Sequence, residues 1–299
     1  MLAAPAGRGH APAPDEVAGR GGMDGSERPR KVAVGTIVRF AYRTVFGRMG
    51  QILDLGWIML LALLAARIVP NLLVPGRHAT GDLQFDAIDI GQAVVTLLAA
   101  SAFAVRWHQS ILVGDPHRQP AASFFRAWAR FLIYGCVVYA LIGTVVAVAA
   151  VTMARMADST ATVAVVALLA VIAGLAVTLV AVRCSLVFPA AACGQPLGIG
   201  AAWRLLRGHT WRLIAASIVT TLPVTVVATI VTAILLSTVV LTAPGADVLA
   251  QPPLGLTILS GLVESITDML LVALSASLLA GFYRELVAWR GAVGGDPQR

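Results

Sequence analysis

The sequence predicts an all-α integral membrane protein of six transmembrane helices, with amphipathic helices lying at one membrane interface. Three observations carry that expectation. Only 12% of the 299 residues are charged and 58% are hydrophobic, whereas soluble domains carry roughly 25% charged residues. The apolar residues fall in continuous Ala-, Leu- and Val-rich runs long enough for helical spans of ~20 residues. A membrane β-barrel would instead show ~10-residue segments of alternating polarity. Finally, short stretches bearing arginine and tryptophan interrupt these runs at recurring places.

Taken in order, residues 1–33 are rich in Ala, Pro, Gly and Arg without apolar periodicity and read as a disordered cytoplasmic tail. They hold no apolar core of a signal peptide, and Met23 offers an alternative start. Residues 34–290 form the membrane domain. From Val34 to Arg48, Ile37, Val38, Phe40, Ala41 and Val45 share a helical face and Arg39 and Arg43 stand four apart, the pattern of an interfacial helix. The first span runs from Met49 to Val69, closed by Pro70, and the second from Asp89 to Arg106. Ala121 to Arg130 repeats the surface-helix pattern, with Phe124, Phe125 and Trp128 on one side and Arg126 and Arg130 towards the other. Phe131–Met153 and Ser159–Val182 are the third and fourth spans. A proline and a small-residue turn to Gly194 follow, then a surface helix over 198–208. The fifth span, from Arg212 to Leu241, contains Pro223, which removes one backbone donor. The sixth, from Leu254 to Trp289, exceeds a simple crossing. Residues 291–299 are a flexible tail.

The surface helices at 34–48, 121–130 and 198–208 alternate with span pairs whose descending members end in arginine: Ala104-Val105-Arg106, Ala181-Val182-Arg183 and Phe282-Tyr283-Arg284. Thr144-Val145-Val146-Ala147 recurs as Thr225-Val226-Val227-Ala228. This reads as three helix pairs repeated in parallel; the alternative is chance likeness between Ala/Val-rich spans.

A net charge of +7 would point to nucleic acid in a soluble chain. In a membrane chain it reads as the cytoplasmic excess of arginine, and nucleic acid is not expected as a partner. Of the 22 basic residues only Arg67, Arg77 and Arg155 fall on the opposite side, and every tryptophan but Trp57 lies on the basic side. Both termini are therefore expected in the cytoplasm, in the cell (inner or plasma) membrane. Arg106, Arg183 and Arg284, with Trp128, Trp203 and Trp211, are the candidate interface-anchoring or anionic-lipid-binding residues. The phospholipid bilayer, with its anionic lipids, is the expected partner, alongside other membrane proteins.

Candidates for chemistry are few. Asp54 lies within the first span, close to Arg48, and reads either as half of an ion pair or as a proton or substrate group. Glu264 and Asp268 stand four apart and read as a solvated or hydrogen-bonded helix face, with acid–base or cation-binding work as the alternative. His108, His117 and His209 fall among arginines and read as exposed or headgroup-facing. Neither zinc-binding histidine spacing nor paired cysteines occur, and neither a Walker loop nor a GxSxG elbow is present. No metal, cofactor, disulfide or enzymatic activity is expected. Gly135, Gly143 and Gly174 read as sites of close helix packing.

The run Arg183, Leu186, Pro189, Gly194, Ala202-Trp203, Arg207-Gly208 and Trp211, with Tyr283-Arg284 closing the last span, resembles a group of uncharacterised bacterial six-span proteins. They are related to the membrane domain of glycerophosphoryl diester phosphodiesterases. Cys193 stands where that group often has a glutamate. The likeness covers residues 34–290 in architecture and about 30 residues in motif; it implies six spans without the catalytic barrel, so no hydrolase residues carry over. Three roles stay open: a lipid-interacting protein, a subunit of a membrane complex, and a transporter. The surface-helix Gly208 followed by Leu222-Pro223 is similar to permeases of ATP-driven importers, but the Glu-Ala-Ala opening of their motif is missing.

Overall fold

Each apolar run folds into one helix, and the breaks fall where glycine, proline or charge interrupts the run. The structure, a computed structural model, describes residues 33–73, 87–114, 120–155, 160–195, 197–242 and 254–293. Almost all of the 1–33 tail, the Met23 start, Arg77, His78, His117 and the outer loop carrying Asp82 and Asp86 lie outside the described residues, as does the Trp289 side chain. The helices are α1 (Val34–Gly47), α2 (Met49–Leu73), α3 (Ala87–Leu112), α4 (Ala121–Arg155), α5 (Thr160–Cys184), α6 (Val187–Ala192), α7 (Ile199–Leu205), α8 (Thr210–Thr242) and α9 (Leu254–Val293). Six of them, α2, α3, α4, α5, α8 and α9, are long and apolar enough to cross a membrane. The protein is an all-α, six-span membrane protein.

Several boundaries differ from the sequence expectation: α3 runs past Arg106 to Leu112, and the surface helix expected over 198–208 is α7, which ends at Leu205. The surface helix at 121–130 and the third span are one helix, α4, because no glycine or proline separates Arg130 from Phe131. The apolar span closes at Pro70 as expected, but the helix does not: α2 carries that proline inside and runs to Leu73. The segment after Pro189 is not a plain turn but the short helix α6, whose first turn tolerates a proline because the N–H there has no intrahelical partner.

Helix α6 ends in a Schellman motif. Gly194 N–H donates to Ala191 O (3.1 Å) and Gln195 N–H to Ala190 O (2.9 Å). The motif needs a left-handed residue at its centre, and Gly194 supplies it with φ of 73°.

Helix α9 is the centre of the bundle, packing against α1, α2, α3, α6 and α8, while α4 and α5 pair with each other at its edge. One buried cluster joins α1, α6, α7, α8 and α9 around Phe282, Leu206 and Leu213. A second joins α1, α2, α3 and α9 around Ile52, Trp107 and Leu274. In α5 the apolar window contains no buried residue, so its exposed Leu168, Leu169 and Leu175 form a hydrocarbon-facing surface.

Gly135, Gly143 and Gly174 are not packing sites: a Cβ at any of them would meet nothing within 4 Å. The close approaches are at Gly56 and Gly281. A Cβ at Gly281 would lie 3.1 Å from Phe40 and 3.2 Å from Ile37, where α1 crosses α9. Gly281→Leu is therefore expected to push α1 off α9 and cost about 1–3 kcal/mol, read as a lowered Tm in detergent. Gly143→Leu, with open space around it, should leave Tm unchanged.

Candidate functional site

The three descending-span arginines each lie over an aromatic ring of a surface helix. The Arg106 guanidinium, nearly two turns before the end of α3, sits 4.1 Å from the Phe124 ring centroid on α4. Arg183, at the end of α5, sits 4.6 Å from Trp203 on α7. Arg284 on α9 sits 5.8 Å from Phe40 on α1. In the first two brackets the ring follows its arginine in the chain. The third ring comes from the N-terminal surface helix, so α1 closes the set against the last span.

α1 presents exposed Arg39 and Arg43 and α4 exposed Arg126 and Arg130, each pair about one turn apart; beside Trp203 stand exposed Arg204 of α7 and exposed Arg207 in the turn that follows it. The spacing of four puts each of the first two pairs on one helical side. The result is three brackets of one stacked and two exposed arginines. Stacking on a ring uses the flat face of a guanidinium, whereas its N–H donors point outward in its plane, the direction in which carboxylates and phosphates bind. The stack itself contributes about 0.5–1 kcal/mol at an exposed site and about 2 kcal/mol when desolvated.

The tryptophans divide between exposed, half-buried and core positions. Trp211 is 73% exposed and points away from the bundle. Trp128 stacks on Phe124 with centroids 6.2 Å apart and donates its Nε1–H to Ser101 Oγ at 2.9 Å, which fixes the first bracket to α3. Trp203 lies under Arg183, whose Nε donates to Thr210 Oγ1 at 3.3 Å. Trp107, expected at the interface, is instead fully buried. Its Nε1–H donates to Ala273 O (3.0 Å) and Ser277 Oγ (2.9 Å) on α9. Consecutive helical residues cannot face the same way, so with Arg106 turned to the surface helix, Trp107 turns inward.

The histidine expectation is corrected in the same way. His108 and His209 are 1% and 8% exposed, not surface groups. Both His108 ring nitrogens and His209 Nδ1 are buried without a hydrogen-bond partner among the described residues. Burial, and then the adjacent Arg212 charge, hold the His209 imidazole below the ordinary histidine range. Beside the Gly194 turn, burial pushes the Cys193 thiol up to about 11. It therefore stays protonated at neutral pH and lacks the thiolate that reactive cysteines need.

The residues around that turn bridge α9 and α3. Tyr283 donates its hydroxyl to Gln195 Oε1 at 2.7 Å, and Gln109 Nε2–H donates to Ala192 O at 3.1 Å, one of the carbonyls a helix end leaves without an internal partner. On the surface helix α1, Tyr42 donates to Thr220 O at 2.8 Å, in the turn of α8 that Pro223 leaves short of a donor.

At the opposite end of the bundle, Arg67 of α2 bridges both acidic residues of α9. It contacts Glu264 through Nη1 and Asp268 Oδ2 through Nη2 at 2.6 Å. The two carboxylates are thus the expected hydrogen-bonded, partly exposed helix face, with one guanidinium as their shared partner. Asp54 lies on an exposed side of α2. Among the described residues no cluster of three or more His, Cys, Asp or Glu could hold a metal ion.

The sequence displayed the six bracket arginines on surface helices and the three span-ending ones, but not which ring belongs to which arginine. It missed the Arg67 bridge, which joins residues 201 positions apart and depends on α2 packing along α9. The chain matches no family model, no curated protein and no solved structure.

Proposed function

We propose that this protein is a non-enzymatic, lipid-interacting protein of the cell membrane, with both termini in the cytoplasm, that holds anionic headgroups on its basic face. The observation that carries the reading is the threefold arginine bracket. Three stacked guanidiniums and six exposed ones share one end of a bundle whose flanks are hydrocarbon-facing. Juxtamembrane arginines attract anionic lipid by about 1 kcal/mol each, and the positive-inside bias puts this face in the cytoplasm. Whether the protein acts alone or as a subunit of a membrane complex, the headgroup contact is the same.

The relationship to the six-span group named above belongs to this reading. In its support, the residues that suggested it are spatial neighbours. Arg183 lies on Trp203, Gly194 makes the turn after Pro189, and Tyr283 bonds to the residue following Gly194. A transporter reading would want a path lined by Asp54 or Pro223. Neither residue lines the cavity between α3, α4 and α9 or the smaller one between α5, α8 and α9.

The test is native mass spectrometry of the protein released from bilayers of mixed anionic and zwitterionic phospholipid. The wild type should retain anionic lipid selectively. Arg106→Gln, Arg183→Gln and Arg284→Gln combined should weaken that retention by about 3 kcal/mol at ~1 kcal/mol per residue, roughly a hundredfold. Unchanged retention would overturn the reading, and a C-terminal reporter active only outside the cytoplasm would overturn the orientation.

A further inference from the structure

A cavity of about 340 Å³ lies between α3, α4, α6 and α9, within the range of small-molecule sites. Its walls are almost entirely apolar, and four of its residues define its shape. Leu97 and His108 of α3 mark its ends, about 16 Å apart along the helix at ~1.5 Å per residue. Gly135 and Tyr139 line the α4 wall. Because α4 packs on α3, α5 and α6, and α9 on α1, α2, α3, α6 and α8, the side between α4 and α9 is open. Tyr139, 63% exposed, and the exposed Ser275 stand there. Both fall inside membrane-crossing segments, so the opening faces hydrocarbon.

At the basic end of this slot stands His108, 1% exposed, edge-on to Phe131 with centroids 6.2 Å apart. Neither of its nitrogens has a hydrogen-bond partner among the described residues. A neutral imidazole offers one donor and one acceptor, and buried polar groups of native proteins are ordinarily paired. His108 lies half a turn past the bracket residue Arg106, at the basic, headgroup end of α3. The slot thus has an apolar length parallel to the lipid chains, a side door to the bilayer and, at its headgroup end, a buried imidazole without a hydrogen-bond partner among the described residues.

We propose that this cavity is a lateral binding site for one acyl chain of a bilayer phospholipid, entered between α4 and α9, with the lipid's ester carbonyl accepting a hydrogen bond from His108. The site is separate from the arginine brackets, and its test does not depend on them.

The probe is a phospholipid bearing a diazirine midway along one acyl chain, incorporated with the full-length protein in nanodiscs and photolysed, with adducts mapped by peptide mass spectrometry. Adducts on Leu132–Tyr139 and Leu271–Leu279 should exceed those on the freely exposed stretch Leu168–Leu175 of α5. Gly135→Leu should reduce them at least fivefold at unchanged Tm, because a Cβ at 135 meets nothing within 4 Å and the added side chain grows into the slot. His108→Phe should reduce them by a smaller factor, about threefold, as expected for one neutral hydrogen bond. Labelling no greater than that of α5, or unaffected by Gly135→Leu, would overturn the proposal. Labelling of the slot by a free diazirine fatty acid but not by the phospholipid would overturn it too.

Discussion

Arg67→Ala should melt below the wild type, because the substitution strands two partly exposed carboxylates at the border of an apolar bundle. Glu264 and Asp268 are one helical turn apart and share the Arg67 guanidinium. In water such a pair would contribute about 0–1 kcal/mol. Arg67 lies within the apolar window of α2, Met49–Pro70. There the surrounding solvent is hydrocarbon or its border, where an unpaired acidic residue costs up to about 2.5–3.5 kcal/mol. Removing one partner of a fully buried pair costs about 3–5 kcal/mol; the carboxylates here keep 45% and 38% of their side-chain surface exposed, so the loss expected in detergent thermal melts lies between that figure and the surface value. The triple variant Arg67→Met, Glu264→Gln, Asp268→Asn removes all three charges and should recover most of the stability. If it melts as low as Arg67→Ala, the stranded charges are not the cause.

Trp107→Ala should be more damaging still, for a different reason. The indole fills the space between α3 and α9 with no exposed surface, and Phe103 stacks on it with centroids 6.3 Å apart. Truncating a buried aromatic to alanine costs about 3–5 kcal/mol through lost burial and the cavity left behind. Trp107→Phe keeps most of the volume and loses only the donor. Ser277 Oγ also donates to Ala273 O at 2.7 Å, so one of the two acceptors keeps a partner, and a net loss of about 1 kcal/mol is expected. Equal Tm values for the two variants would show that the indole N–H, and not packing, sets the stability of this contact.

These two contacts also mark where sequence reasoning stops. Hydropathy runs gave the six spans because a bilayer imposes one simple length and polarity requirement on each. Arginines at the span ends marked the basic face for the same reason. What joins one span to another has no such local signature. Arg67 and Asp268 meet only because α2 lies along α9, and Phe40 meets Arg284 only because the first surface helix returns to the last span. Trp107 and His108 could have been read as inward-facing from their neighbour: one and two positions after Arg106, they point about 100° and 200° away from it at 3.6 residues per turn. The glycines show the converse error. Small residues in a span permit close packing, but only the tertiary arrangement decides which are used, and Gly281 is used where Gly135 is not.

The most direct test of the account is the stepwise loss of bound anionic phospholipid across single, double and triple Gln substitutions of Arg106, Arg183 and Arg284, measured in one mixed-lipid nanodisc series. Three equivalent brackets predict about a fivefold loss of affinity per arginine at ~1 kcal/mol each, whichever is replaced first. Retention that survives the triple substitution, or that collapses with one arginine and ignores the other two, would contradict it.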